Sequence, residues 1–393
     1  MPLIVQKYGG SSLASPKLIQ IAAGRIKDLK LSGSDVVVVA SAMGNTTDHL
    51  LKLAAKTVKT PPSRELDMLL TAGERVSMSL LAMSLQERGI PAISFTGSQS
   101  GILTTSDHSE AKILEIRPQR IQEELQKGRV VIIAGFQGVS REKEITTLGR
   151  GGSDTTAVAL AAVLKADRCE VLTDVEGIFT ADPRIVPTAR SFKNLSYDEC
   201  IEFSRLGAKM HSRSIEMAKK HNVSVWIGSS QSKTNTGTCI GWTAEKGANV
   251  EKTSVTGIAT QDGFHFFSAL IDLKVLTSAL SENGMYLKFF TFGGDQVKFL
   301  CQSADAEKIR DVLKQKAKGY QEVTKVSIVS AVGEGISNSN RILPQLLSSL
   351  DGHTNDTLLI TTNSLSFTIA VLSGAKEQIA QSLHRRFIEE ENL

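Results

Sequence analysis

Cysteine is scarce: four residues in 393, at Cys169, Cys200, Cys239 and Cys301, with no Cys-x-x-Cys pair and no histidine beside them at metal-ligand spacing. That pattern excludes a disulfide-built scaffold and a thiolate metal centre, and it reads as free thiols in a reducing, cytosolic setting. Aromatic residues make up 5% of the chain and formal charge is only +4, with no basic block and no basic-aromatic interleaving. Nucleic-acid binding therefore has no electrostatic footprint. No apolar run reaches the length of a membrane span, and neither a secretory signal nor an anchor is expected from Met1-Pro2-Leu3-Ile4-Val5. Three phosphate-site signatures are also missing: Gly-x-x-x-x-Gly-Lys-Ser/Thr, His-Arg-Asp and Gly-x-Gly-x-x-Gly.

What is present is a soluble, globular composition, 41% apolar and 22% charged, long enough for two or three domains. Up to about residue 228, strand and helix patterns alternate. Strands are expected at Leu3 to Tyr8, Val36 to Ala40, Ile90 to Phe95, Val130 to Ala134, Glu170 to Thr173 and Ser224 to Ile227. Helices are expected at Pro16 to Leu29 with Ser15 as N-cap, at Arg64 to Glu87 and at Thr155 to Lys165. Continuous apolar strands between helices predict a largely parallel sheet covered on both faces, with ligands beyond the strands' carboxyl ends.

Two glycine turns stand in this half, Lys7-Tyr8-Gly9-Gly10-Ser11-Ser12 and Gly149-Arg150-Gly151-Gly152-Ser153-Asp154. Glycine lets backbone approach an anion, and a helix beginning just beyond offers unpaired N–H groups and a positive dipole end. Phosphoryl transfer needs positive charge over the moving group and close placement of the acceptor, which makes Lys7, and more weakly Lys209, candidate cations. Asp154 suits the orientation of lysines or a metal ion. The loop Thr173 to Arg184 carries three acids and an arginine, a composition that fits a nucleotide and its metal-bound phosphates. Arg150 suits a carboxylate and Glu74 an ammonium group, a pairing that would hold an amino acid.

Taken together, Val5 to Ser12, Ser41 to Asp48, Leu70 to Arg75, Thr147 to Thr156 and Thr173 to Arg184 resemble the aspartate kinases over roughly residues 3 to 240. The resemblance implies the amino-acid-kinase αβα sandwich and transfer of a phosphoryl group from ATP, with Mg2+, to the side chain of L-aspartate. It implies Lys7 and Asp154 as catalytic residues. Tyr8, Gly9, Gly10, Ser11, Ser41, Thr173, Asp174, Phe179, Thr180, Ala181, Asp182, Pro183, Arg184 and Lys209 would join Lys7 in binding ATP. Thr47, Glu74, Arg150, Gly151, Gly152 and Ser153 would bind aspartate. Other kinases of the same fold, acting on glutamate or N-acetylglutamate, and a non-catalytic amino-acid sensor are the alternatives. One departure is local: three residues, not the usual four, separate Lys209 from Arg213.

Residues 241 to 393 have another texture, with shorter strands and a strand-helix-strand-strand-helix order met roughly twice. They resemble the paired ACT modules that bind feedback amino acids, which implies a catalytic domain over 1–240 and a regulatory region over 241–393 of two divergent modules able to intertwine. Leu270-Ile271-Asp272-Leu273, Gly284-Met285-Tyr286-Leu287 and Thr362-Asn363-Ser364 depart from the usual effector segments. Lysine or threonine as effector is left open, and open strand edges imply a homodimer or larger assembly.

Overall fold

The computed structural model describes residues 1–208, 210–232, 236–241, 255–336 and 342–390, and the chain forms two compact units. The first comprises Met1–Ile178, Ser191–Ser204 and the described residues of Lys209–Ala244.

Its main sheet has eight strands in the order Asn194–Leu195, Gly237–Ile240, Val225–Ser229, Arg168–Thr173, Leu3–Tyr8, Asp35–Ala40, Val130–Ala134 and Ala92–Phe95. Every neighbour pair is parallel except Val225–Ser229 with Gly237–Ile240. Val36 to Ala40 and Val130 to Ala134 are fully buried, as continuous apolar strands require when helices cover both faces. The Pro16–Leu31 helix starts at the expected cap, where Ser15 Oγ accepts the Leu18 N–H at 3.3 Å and proline occupies the first turn. It packs with the Ala72–Glu87 helix on a core that includes Tyr8, Leu13, Ile26, Val38, Leu81, Leu85 and Ile132.

Two features depart from the sequence expectation. The helix expected over Arg64 to Glu87 is two helices, Ser63–Leu70 and Ala72–Glu87, which meet at Thr71. A second, four-stranded sheet lies in the order Ile113–Ile116, Ile102–Thr104, Gln137–Ser140 and Ile145–Thr147. Its strands are three or four residues long, too short to show a period. The second glycine turn follows this small sheet, whereas the first leaves the carboxyl end of a main-sheet strand.

The second unit comprises Phe179–Arg190, Arg205–Ala208 and the described residues of Glu245–Leu393. Two short segments that precede residue 241 thus fold with it. Its six strands form one antiparallel sheet in the order Phe289–Gly293, Gln296–Gln302, Gly257–Leu270, Gly319–Val332, Ser366–Leu372 and Thr357–Thr362. The two central strands are 14 residues each, and they serve two separate cores. Phe267, Phe299, Leu276 and Leu313 fill one, while Ile258, Val329, Phe367 and Leu383 fill the other. The sequence pattern places separate strands at Thr253 to Ala259 and His265 to Leu270 within the two modules. A single long strand runs through most of that span, bending by register shifts between Gln261 and Phe266, and Thr253 and Ser254 lie outside the described residues. The two halves therefore share their central strands.

Candidate active site

A cavity of about 300 Å³ opens in the first unit where the two glycine turns, the loop after Asp35–Ala40 and the start of the Ala72–Glu87 helix come together. Lys7, Gly10, Ser41, Thr47, Glu74, Arg150, Gly151, Gly152, Ser153 and Asp154 all line it. Ala42, Gly44, Phe136 and Gly149 complete the wall.

Lys7 stands next to the last residue of Leu3–Tyr8, a central strand of the buried sheet, and its Nζ lies 2.6 Å from Asp154 Oδ1. Both side chains are nearly buried, at 13% and 10% exposure, so the attraction is less screened than that of a surface pair. Asp154 stands in the first turn of the Gly152–Leu164 helix, where the dipole favours an acid. An arriving phosphate would find the ammonium held in place and a helix N-terminus beside it. Gly9 is close behind, its Cα so placed that a Cβ would sit 3.7 Å from Lys7 Nζ.

The second glycine turn needs its glycines for conformation. Gly149 and Gly151 have φ of +73° and +72°, a region that L side chains rarely occupy. Gly151 is also pressed against His211, at 2.4 Å from where its Cβ would be. Arg150 between them is exposed and has no carboxylate partner among the described residues. The turn is braced from outside, as Arg213 donates to the Leu148 carbonyl at 2.9 Å and to the Ala111 carbonyl at 3.1 Å.

Glu74 is the most unusual acid of the cavity. It is 3% exposed, and Oε1 accepts the Ala42 N–H at 3.2 Å while Oε2 is buried without a partner. Burial pushes its carboxyl up from the ordinary 4.5 to about 7. A buried oxygen of this kind calls for a donor from a ligand. Gly73 lets the helix start close in, since a Cβ there would meet Ala42 Cβ at 2.8 Å.

Other expected residues lie elsewhere. The Tyr8 ring is fully buried in the core and hydrogen-bonds Gln6, with its hydroxyl held un-ionised by burial, which leaves no side-chain atom for a nucleotide. Ser11 is exposed and absent from the cavity wall. Thr173 and Asp174 are at the carboxyl end of Arg168–Thr173, joined by a 2.9 Å hydrogen bond. Phe179, Thr180, Ala181, Asp182, Pro183 and Arg184 belong to the second unit. There Ala181 is in the core, Thr180 Oγ1 is 2.9 Å from His384 Nε2, and Asp182 and Arg184 pair with each other. Lys209 lies outside the described residues.

Sequence reasoning overlooked Phe136 and Asp67. Phe136 is a non-glycine residue at φ +67°, and its carbonyl accepts the Leu148 N–H at 2.9 Å. Its only sequence signal is its place between Gly135 and Gly138 at a strand end. Asp67 is buried behind the second turn.

The profile of the amino acid kinase family matches residues 2–229. An aspartokinase from Corynebacterium glutamicum is 40% identical over 410 residues, covering 98% of this chain and 96% of that protein. Among solved structures, Escherichia coli aspartokinase III in complex with aspartate and ADP superposes with a TM-score of 0.80 at 22% identity, covering 97% of this chain and 99% of that one. The same enzyme in complex with lysine and aspartate superposes with a TM-score of 0.79 at 22% identity, covering 98% and 99%.

Proposed function

The chain belongs to the amino acid kinase family and, within it, to the aspartate kinases, and from that premise we propose the part each residue of the cavity plays. The reaction moves the γ-phosphoryl group of ATP to the side-chain carboxylate of L-aspartate, giving 4-phospho-L-aspartate and ADP. One acid oxygen attacks phosphorus as the bond to the β-phosphate oxygen breaks, and negative charge gathers on the equatorial oxygens.

Lys7 meets that charge, and Asp154 keeps its ammonium in place between turnovers. Gly9, Gly10 and Ser11 line the phosphate path. Arg150 grips a carboxylate of aspartate, and Glu74 takes the α-ammonium group on the buried oxygen that has no protein partner. Thr47, Gly151, Gly152 and Ser153 close around the same substrate, and Ser41 lies near the nucleotide. Thr173, Asp174, the segment Phe179 to Arg184 and Lys209 serve ATP by resemblance to the family. Among the described residues no three His, Cys, Asp or Glu side chains gather as a metal cage. Mg2+ would arrive on the phosphates of ATP with most of its waters.

The observation that carries this reading is that Lys7, Glu74 and Arg150, far apart in sequence, line one cavity. N-acetylglutamate has no ammonium group and would leave Glu74 unpaired, which disfavours it as acceptor. Trapping the acyl phosphate with hydroxylamine tests the assignment. Aspartate should yield hydroxamate and glutamate or N-acetylglutamate should not. A product from glutamate but not aspartate would overturn it, and nucleotide binding without product would favour the sensor reading.

Residues 241–393 are proposed as a regulatory region of ACT type that pairs across subunits. The edge strand Phe289–Gly293 supports pairing, because Phe290 and Phe292 are exposed there at 38% and 62%. Lysine or threonine is the effector class to test, with a weak or altered response expected from the departures at Leu270 to Leu273, Gly284 to Leu287 and Thr362 to Ser364. Among the described residues no helix is long and apolar enough to cross a membrane.

A further inference from the structure

Asp67 is fully buried in the first unit, on the Ser63–Leu70 helix, and its carboxylate gathers three parts of the chain. Oδ1 accepts the Thr147 hydroxyl at 2.6 Å and the Ser109 N–H at 3.1 Å. Oδ2 accepts the Thr147 N–H at 3.2 Å, shares the Ser109 N–H at 3.1 Å and lies 2.8 Å from His108 Nδ1. A buried acid with this many donors is fixed in place, and it fixes the donors in turn.

Those donors define the second glycine turn. Thr147 is the last residue of its strand, one residue from Leu148 and two from Gly149. Ser109 is held at φ +70°, a conformation that costs energy in a non-glycine residue and persists only where neighbours enforce it. Its carbonyl oxygen lies 3.0 Å from the point where a Cβ on Gly149 would be, so it forms the floor under the turn. On the other side, the helix that carries Asp67 runs through Thr71 directly into the helix that carries Glu74. Asp67 thus ties the element leading to Glu74 to the turn bearing Arg150.

We propose that Asp67 is a positioning residue for the amino-acid substrate: by clamping Thr147 and Ser109 it sets the spacing of Arg150 and Glu74, the two charges assigned to aspartate. The proposal rests on that assignment. It makes no contact with the reacting atoms, so its signature is a selective change in aspartate saturation.

Asp67→Asn keeps the volume but turns an NH2 group toward N–H donors. It should raise KM for aspartate by about tenfold or more while KM for ATP stays within about twofold, since a lost charged hydrogen bond with an unsatisfied buried partner is worth at least that factor. Thr147→Val, a milder change should the first variant fail to fold, removes one bond and should raise KM for aspartate by about fivefold with the same selectivity. Arg150→Ala is measured beside them. If Arg150→Ala raises KM for aspartate but the folded variants at 67 or 147 leave it unchanged, or move both KM values together, the positioning role is overturned and the substrate assignment survives. If Arg150→Ala leaves it unchanged, the assignment falls and the positioning role falls with it.

Discussion

The two glycine turns are spelled almost alike, yet the first needs Gly10 for room and the second needs Gly149 and Gly151 for conformation. At Gly10 φ is −57°, open to any residue, but a Cβ would come within 3.0 Å of the Ala42 carbonyl and 3.1 Å of the Gly44 carbonyl. At Gly149 and Gly151 the backbone itself lies in the left-handed region. The first turn leaves a rigid, buried parallel sheet and carries a lysine held by an ion pair. The second leaves a small sheet of three- and four-residue strands and is held by side chains from elsewhere, Asp67 and Arg213 among them. On the roles proposed above, rigid placement of Lys7 and braced placement of Arg150 divide the work of the cavity.

The strongest way to break that division is at Lys7. Lys7→Ala should lower kcat by about 10²–10³-fold with little change in either KM, because the interaction it loses is made with charge that develops in the transition state. Unchanged turnover would remove Lys7 from that role. Arg150→Ala should instead raise KM for aspartate by about 10- to 100-fold with a smaller change in kcat, as expected for a lost charge-assisted pair. An equal loss in both variants would erase the distinction between the turns.

Glu74 sharpens the comparison through pH. Since burial lifts its carboxyl to about 7, the charged form an ammonium needs is lost as pH falls through 7, and KM for aspartate should rise on the acid side. Glu74→Gln should abolish that dependence. The same shift acts on stability with a fixed sign. Folding takes up a proton between 4.5 and 7, so the buried charge opposes folding above that range. The glutamine variant should therefore melt higher than the parent at pH 8 and equally at pH 4, and a parent that is the more stable at pH 8 would contradict the buried-acid account. The smallest effect belongs to Arg184, whose side chain is 88% exposed and pairs with Asp182. Arg184→Ala should leave stability nearly unchanged and show itself, if the family role holds, as a modest rise in KM for ATP.

Much of this was legible in the sequence where local chemistry decides structure. The Ser15 cap, the valine strand and the glycine turns depend on residues close in the chain. Lys7, Glu74, Arg150 and Asp154, singled out by charges that suit the proposed substrates, line one cavity. Asp67 was not legible, because in Arg64-Glu65-Leu66-Asp67 it reads as a solvated helix acid. Only partners 41 and 42 residues away at His108 and Ser109, and 80 away at Thr147, bury it. Tyr8 is the opposite case, a motif position whose ring is committed to the core. The strand through Gly257–Leu270 was split on paper by Asp262 and Gly263, where the structure absorbs the irregularity as a register shift. Pairing of the second unit across subunits can be tested by sedimentation, where a dimer or larger species is expected and a clean monomer would contradict it.

The central claim is that Lys7 and the two glycine turns surround the terminal phosphate and aim it at the distal acid of aspartate. A crystal of the protein soaked with aspartate and a non-hydrolysable ATP analogue tests it most directly. The γ-phosphate should lie within hydrogen-bonding distance of Lys7 Nζ, with the amino acid between Arg150 and Glu74. A nucleotide bound away from both turns would contradict the account.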